Sequence, residues 1–191
     1  MLSWNSSFRR KENSTGQLEN FILNKEGFVM FCRRAVKEDI EDIREIAVQS
    51  WHDTYEELIP RKTQDAFLEK AYNVRQLEKR LQRSNIFVCE KAGRVIGFAG
   101  YFQETPNAAE VSAIYVLPGA QREGVGSALM RHLWAHMQNV NEVHVDVEAG
   151  NEKAESFYKQ RGFREESEFD EVFEGHPLRT KRFRLKLQEQ S

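Results

Sequence analysis

The sequence has few cysteines, almost no net charge and no long apolar run. Its two cysteines, Cys32 and Cys89, lack the spacing of a metal site and lie in predicted strands, which favours buried free thiols over a disulfide. The formal net charge is −2, with acidic and basic residues interspersed, which argues against a nucleic-acid partner. No apolar stretch reaches the length of a membrane span, and no signal-peptide pattern opens the chain. A cytoplasmic protein without a membrane partner is therefore expected.

The length and composition suit one globular domain preceded by an extension. The chain has 191 residues, of which 40% are hydrophobic and 30% charged, which is adequate for one core. Residues 1–29 are mostly polar and carry one small apolar cluster at Phe21–Leu23. This segment is predicted to be an N-terminal extension, either disordered or docked through that cluster, and the domain is predicted over 30–191.

Helical and strand patterns alternate along the predicted domain. Apolar residues at helical spacing indicate a first helix from Ile40 to Trp51, which the segment His52–Tyr55 is expected to break. Two further runs are predicted to pair as a hairpin around Ala92–Gly93. The other predicted elements are a first strand at 31–36, helices at 62–70, 74–82, 124–139 and 151–161, strands at 109–116 and 142–148, and two terminal strands.

The most informative segment is a strand that leads through a glycine-containing loop into a helix. The apolar run Val111–Leu117 ends at Pro118, and Gln121–Gly126 then opens a helix. Backbone N–H groups in such a loop and the dipole of the following helix favour a phosphate or pyrophosphate ligand. Glycines at 124 and 126 allow the ligand to approach the backbone closely. A P-loop is excluded because no lysine follows the glycines, and a dinucleotide fingerprint is excluded because Leu129 stands where the third glycine belongs.

This segment resembles the pyrophosphate loop of the GNAT superfamily of acyl-CoA-dependent N-acetyltransferases. The pattern Gln/Arg-X-X-Gly-X-Gly is met by Gln121–Gly126, after the strand residues Ala113–Pro118. A second block at 151–163 is similar to the family's next helix and strand, with Asn151 suited to an N-cap and Gly162 to a left-handed C-cap. The resemblance covers roughly 30–187. It implies an α/β (α+β) fold, a single domain whose mixed central sheet of about six to seven strands is flanked by helices in the order β-α-α-β-β-β-α-β-α-β-β.

The resemblance further implies that acetyl-CoA is the co-substrate and that no metal is used. The exposed backbone edge of Tyr115, Val116 and Leu117 would pair with the pantetheine arm, and Asn151 could hydrogen-bond it. The pyrophosphate would be bound by the loop and the first helical turn, which comprise Gln121, Arg122, Glu123, Gly124, Val125, Gly126 and Ser127. Glu123 departs from the family pattern, because a carboxylate near pyrophosphate is unfavourable unless its side chain points to solvent.

Two residues are the predicted catalytic groups. By resemblance, Tyr158 is the general acid that protonates the departing CoA thiolate, and the alternative is a tyrosine used only in packing. Glu110 coincides with the catalytic glutamate of the family's histone-acetylating branch, so it could take the amine proton directly or through water. The alternative for Glu110 is a solvated glutamate at the end of a strand. Trp51, His52 and Tyr55 are the predicted acceptor pocket, with aromatic core packing as the alternative.

Other polar groups have more ordinary interpretations. His144 and Asp146 share one strand face and could form an alternative base or a metal half-site, although a strand-face hydrogen bond is favoured. His132 and His136 have metal-ligand spacing, but Leu133 stands where a zincin motif has glutamate, so half-buried helix histidines are favoured. An acidic run could attract a cationic acceptor or pair with the basic residues of the last strand, and pairing is favoured. The run comprises Glu165, Glu166, Glu168, Asp170, Glu171 and Glu174.

Two functions from different classes remain open at this stage. The first is acetyl transfer from acetyl-CoA to an amine of a small molecule or protein, by direct attack in a ternary complex. The second is a catalytically idle domain that binds acyl-CoA as a sensor or regulator, because one fold serves many functions. The retention of Tyr158 and Glu110 favours the enzyme. The acceptor is not specified, and either a monomer or a homodimer is expected.

Overall fold

The computed structural model describes residues 8–12, 18–23 and 29–187, with side chains from Met30 onward. The strands are β1 (Phe8–Glu12), β2 (Leu18–Leu23), β3 (Val29–Arg34), β4 (Asn85–Lys91), β5 (Arg94–Thr105), β6 (Ala108–Val116), β7 (Glu142–Glu148), β8 (Arg164–Phe173) and β9 (His176–Lys186). The helices are α1 (Ile40–Tyr55), α2 (Arg61–Ala71), α3 (Val74–Arg83), α4 (Val125–His136) and α5 (Glu152–Lys159). None of the described helices is long and apolar enough to cross a membrane.

The described strands form one mixed sheet in the order β1-β2-β3-β4-β5-β6-β7-β9-β8. All neighbours are antiparallel except β6 and β7, which are parallel. These two strands pair only over Ala108–Glu110 and Glu142–His144. Beyond those residues β6 and β7 diverge, and a V-shaped gap opens between them in the middle of the sheet.

Helices cover both faces of the sheet. A Cβ at Gly97 of β5 would lie 3.0 Å from Val125 of α4, so α4 packs on the face to which residue 97 points. The next residue, Phe98, points to the opposite face and meets Tyr72, between α2 and α3, with ring centroids 6.1 Å apart. Helices α1 to α3 therefore lie on one face and α4 on the other. Helix α5 joins the α4 face, where Phe157 packs against Gly126.

The predicted fold class is confirmed, with two differences in detail. Strands β3 to β9 are the predicted seven-strand sheet, and β1 and β2 extend it beyond β3. Helix α1 is not broken at His52–Tyr55 as the sequence suggested, because Trp51 and Tyr55 continue its buried stripe by another turn. The boundary between an extension at 1–29 and a domain at 30–191 remains a prediction. Docking through the Phe21–Leu23 side chains concerns atoms outside the described residues.

The expectation that both cysteines are free thiols is wrong. Cys32 of β3 and Cys89 of β4 are directly opposite in the antiparallel register, with Cα atoms 4.1 Å apart, and they form a disulfide. Both side chains are buried. Strand register decides which residues are opposite each other, and the sequence spacing of the two cysteines carries no information about that register.

Candidate active site

A cleft of about 980 Å³ lies where β6 and β7 diverge. Its walls are the facing edges of the two strands, residues 111–116 and 145–148. Residues of α1 line it on one face of the sheet, and residues of α4 and α5 line it on the other. The cleft therefore extends through the sheet, from the face covered by α1 to the face covered by α4 and α5.

The loop between β6 and α4 forms one end of this cleft. Arg122 and Gly124 both have positive φ values, +65° and +89°, which turn the chain sharply before α4 begins at Val125. The first helical backbone bond runs from the Ala128 N–H to the Gly124 carbonyl. The N–H groups of residues 125–127 consequently have no partner within the helix. Together with the helix dipole, they make this end of the cleft suitable for an anion.

Gly126 is constrained by packing as well as by its place in the loop. A Cβ at this position would lie 3.0 Å from Cε2 of Phe157, which is tighter than most real Cβ contacts and would require the ring to shift slightly. The guanidinium of Arg161 lies over the Phe157 ring, 3.5 Å from its centroid. Its Nη2 also donates a hydrogen bond to Ser127 Oγ in the first turn of α4. The first turn of α4 is thus fixed directly against α5.

The carboxylate of Glu123, which the sequence placed close to the expected pyrophosphate, is paired outside the cleft. Its carboxylate accepts a hydrogen bond from Lys91 Nζ at 2.5 Å, on the neighbouring strand β4, and it does not line the cleft. The negative charge is therefore paired and directed away from the free N–H groups. Leu117 is also outside the lining, and its N–H donates to Ile96 O at 3.0 Å. All the other predicted cofactor-binding residues line the cleft, namely Tyr115, Val116, Gln121, Arg122, Gly124, Val125, Gly126, Ser127 and Asn151.

The two residues predicted to flank α5 are its caps, although the helix ends at Lys159 and not at residue 161. The Asn151 side chain accepts a hydrogen bond from the Ala154 N–H at 3.1 Å, and Gly162 after the helix has φ of +87°. These two caps place Tyr158 in the wall of the cleft. No described residue hydrogen-bonds the Tyr158 hydroxyl, and burial raises its pKa, so the group stays protonated over a wide pH range.

The predicted acceptor residues are separated by the structure. Tyr55 lines the cleft, whereas Trp51 and His52 do not. Trp51 packs against Tyr55, with ring centroids 4.6 Å apart, and its Nε1 donates to the Tyr115 hydroxyl at 3.0 Å. His52 Nε2 is 2.9 Å from Asp65 Oδ1 on α2. Tyr55 alone of the three therefore meets the cleft, and Trp51 supports it from behind.

Glu148 is a further carboxylate in the cleft, and the sequence analysis did not single it out. It is the last residue of β7, and its Oε2 accepts a hydrogen bond from the Tyr55 hydroxyl at 2.6 Å. Strand alternation places Glu148 on the same face as His144 and Asp146, and this period could have drawn attention to it. Its contact with Tyr55, 93 positions away in sequence, could not have been read from local patterns.

Glu110 lies at the closed end of the V, outside the lining of the cleft. Its Oε2 is 3.2 Å from His144 Nε2, and Glu104 Oε2 is 3.6 Å from the other ring nitrogen. Burial raises the pKa of Glu110, and the neighbouring His144 opposes that shift. Among the described residues these three side chains could share a metal ion, since their donor atoms lie within 4.8 Å of one another. The imidazole, however, already has a carboxylate beside each of its nitrogens.

The other polar groups that the sequence raised have partners outside the cleft chemistry. Asp146 does not pair with His144 but is bound by Arg182 through two hydrogen bonds of 2.8 and 2.7 Å. His132 is half-buried, as favoured, whereas His136 is exposed. Their rings pack against each other and against Phe87 in tilted or edge-on contacts.

The acidic run pairs largely with basic side chains of β9, as favoured. The pairs within the hairpin are Glu165–Lys181, Glu166–Arg184, Glu168–Arg179 and Asp170–Arg179, while Glu174 meets Lys70 of α2. The first four of these ion pairs therefore connect β8 to β9.

The splayed parallel strands, the anion-binding loop and the tyrosine on the following helix define the class of acyl-CoA-dependent acyltransferases. The model of the acetyltransferase (GNAT) family matches residues 40–163. The chain belongs to this family, as its sequence motifs suggested.

Individual relatives agree with the assignment. The "Uncharacterized N-acetyltransferase YuaI" of Bacillus subtilis is 34% identical over 103 residues, which cover 51% of this chain and 58% of that protein. The chain thus spans little more than half of the curated relative that it matches. The PaiA N-acetyltransferase of Thermoplasma acidophilum, solved with coenzyme A, is similar in fold with a TM-score of 0.71 and 21% identity, covering 82% of this chain and 98% of that one.

A second solved structure shows the same likeness. The yncA protein of Salmonella typhimurium, solved with its cofactor acetyl-CoA, has a TM-score of 0.62 and 22% identity to this chain. The alignment covers 85% of this chain and 96% of that one. At these identities the two structures establish the shared fold, and the fold class predicted from the sequence is confirmed.

Proposed function

We propose that this protein transfers an acetyl group from acetyl-CoA to an amine of a small molecule or a protein, by direct attack in a ternary complex. The observation that carries the proposal is the cleft between β6 and β7, with unpartnered N–H groups at one end and Tyr158 in its wall. Membership of the acetyltransferase family and the CoA-bound relatives support the same reaction.

The loop and the strand edge would hold the co-substrate. The pyrophosphate would lie against the N–H groups of residues 121–127, with Arg122 nearby to offset its charge. The edge of β6 at Tyr115 and Val116 faces the gap and has no strand partner there among the described residues. An extended pantetheine arm, with its amide groups, could pair with that edge as an added strand does. Holding the thioester in this way is itself catalytic, because orientation can remove several kcal/mol of a barrier.

Tyr158 would supply the proton for the departing thiolate. Its hydroxyl has no partner among the described residues, and burial raises its pKa, so the proton is on the oxygen when the thiolate forms beside it. A general acid needs a hydroxyl in the cleft wall, and the position of Tyr158 in that wall supports this role. Glu110, the proton acceptor predicted from the family resemblance, could act only through water, because it does not line the cleft.

Release of free thiol from acetyl-CoA tests the proposal directly. The protein is incubated with acetyl-CoA and a panel of amines, including spermidine, an aminoglycoside and peptides with free N-termini. Thiol release that depends on one of these amines, with mass spectrometry showing the acetylated product, is the expected result. CoA-dependent stabilisation without release for any amine would favour the alternative of an idle acyl-CoA sensor.

A further inference from the structure

Among the described carboxylates, Glu148 alone combines a place in the cleft wall with a neutral hydrogen-bond partner. Its half-buried side chain lines the cleft on the face covered by α1, where an acceptor would approach opposite the α4 and α5 face. The Tyr55 hydroxyl donates to it at 2.6 Å, so one oxygen is fixed in place. The pKa of Tyr158 is raised first by burial and then by the negative charge of Glu148. The two side chains are therefore close enough to interact.

The neighbouring acidic groups are less suitable for taking a proton from an amine. Asp146 also lines the cleft, but the Arg182 guanidinium binds both of its carboxylate oxygens. An anion held in this way by a permanent cation is a weak base. Glu110 is outside the lining of the cleft and is engaged with His144. Glu148 is the carboxylate in the cleft wall whose described partner is a neutral hydroxyl.

The surroundings of Glu148 also raise its pKa, which makes the carboxylate a stronger base. Burial raises the pKa of Glu148, while the hydrogen bond from Tyr55 opposes that shift. The charged and titratable groups that face it from the packed elements are Tyr55 of α1, Tyr115 of β6, Asp146 of β7, Tyr158 of α5 and Glu171 of β8. None of these is a cation, and among the cations that line the same cleft Lys153 pairs with Asp53 and Arg161 donates to Ser127. Burial therefore leaves the pKa of Glu148 raised.

We propose that the Glu148 carboxylate accepts the proton of the acceptor's ammonium group, and that Tyr55 is the positioning residue for this carboxylate. The inference rests on the proposed acetyl transfer and names the base of that reaction. The acceptor is accordingly an amine that enters as a cation from the α1 face, where Glu148 is the cleft carboxylate that no described cation binds.

The proton and electron movements balance with this assignment. Glu148 takes one proton from the ammonium ion, which frees the nitrogen lone pair, and later releases that proton to water. The lone pair forms the N–C bond to the thioester carbonyl, and the C–S bond breaks with its electron pair remaining on sulfur. Tyr158 gives its proton to the thiolate and recovers one from the amide nitrogen.

The pH dependence of kcat/KM with the most active amine tests the role of Glu148. In the wild type, activity should fall on the acid side as Glu148 becomes protonated. Glu148→Gln should lower kcat/KM by on the order of a hundredfold near neutral pH. Its remaining activity should rise only with the amine's own ionisation, so the loss shrinks at high pH. Glu152→Gln removes an exposed carboxylate at the start of α5 and should keep the wild-type profile.

Tyr55→Phe separates a chemical role from a structural one. Loss of its hydrogen bond should raise the pKa of Glu148 and move the acid limb to higher pH, with the affinity for CoA unchanged. The assignment is overturned if Glu148→Gln keeps the wild-type acid limb, or if Glu110→Gln is the variant that loses it.

A second measurement does not depend on turnover. The carboxyl carbon of Glu148 can be followed by NMR in the CoA-saturated protein and assigned by its absence in Glu148→Gln. It should titrate above the ordinary glutamate pKa of about 4.3 and higher still in Tyr55→Phe. Titration at the ordinary value in both proteins would overturn the inference. Failure of the proposed function itself would instead show as absence of transfer by the wild type.

Discussion

A substitution at Tyr158 can distinguish a role in the chemical step from a role in CoA binding. Tyr158→Phe removes only the hydroxyl, which no described residue hydrogen-bonds, so folding and CoA affinity should change little. The value of kcat should fall, by roughly ten- to a thousandfold, because the thiolate then leaves without its proton donor. Steady-state kinetics and CoA binding measure the two effects separately. Tyr101→Phe is the matched control, since its hydroxyl bonds the His136 carbonyl away from the cleft. Unchanged turnover of Tyr158→Phe, when chemistry is rate-limiting, would contradict the general-acid role.

His132 should make the fold sensitive to mild acid. Burial, and then the nearby His136, lowers the pKa of His132 to about 4, below its ordinary value near 6.5. In the unfolded chain the ring is protonated as pH falls through 6.5, whereas in the folded protein it stays neutral until about pH 4. Its contribution to stability is therefore complete above about pH 6.5 and is lost between there and pH 4.

Denaturant unfolding at pH 7 and pH 4.5 measures this contribution. His132→Leu should lose less of its free energy of unfolding between the two pH values than the wild type does. Equal losses in the two proteins would show that His132 is not the group that links stability to pH.

At the scale of single elements, the loop before α4 is predicted to determine CoA binding. A hundredfold excess of CoA over its Kd should add about 2.7 kcal/mol to the free energy of unfolding and raise Tm visibly. Gly126→Glu should abolish that rise, because bulk and negative charge would occupy the place of the pyrophosphate. Gly126→Ala controls for the crowding of Phe157, 3.0 Å from the added Cβ. An equal CoA-induced rise in wild type and Gly126→Glu would contradict the assignment of the loop.

Local signals in the sequence predicted most of the helices and strands, and the cofactor side of the candidate site. Asn151 caps α5 as expected, and the predicted hairpin around Ala92–Gly93 is present, with positive φ at both turn residues. Each of these features is decided within a few residues. The pairing of Cys32 with Cys89 and the contact of Tyr55 with Glu148 depend instead on register and helix placement. Those relations arise only when distant segments pack, so local patterns could not reveal them.

At the scale of the whole molecule, the disulfide joins the strand before the three helices to the strand after them. It closes a loop between residues 57 positions apart, so reduction should enlarge the entropy of the unfolded chain. Reduction is expected to cost about 2–4 kcal/mol and to lower Tm. Thermal unfolding with and without reductant measures this difference. The double variant Cys32→Ala, Cys89→Ala should unfold at the same temperature in both conditions, and a wild type insensitive to reductant would contradict the prediction.

The passage between β6 and β7 has a consequence for the order of binding. Residues of α1 line it from one face of the sheet and residues of α4 and α5 from the other, so in the proposed reaction the two substrates would enter from different sides. Neither would then have to leave before the other could bind or depart. The steady-state pattern should then be that of a random sequential reaction, and free CoA together with unreacted amine should form an abortive complex that slows turnover at high amine concentration.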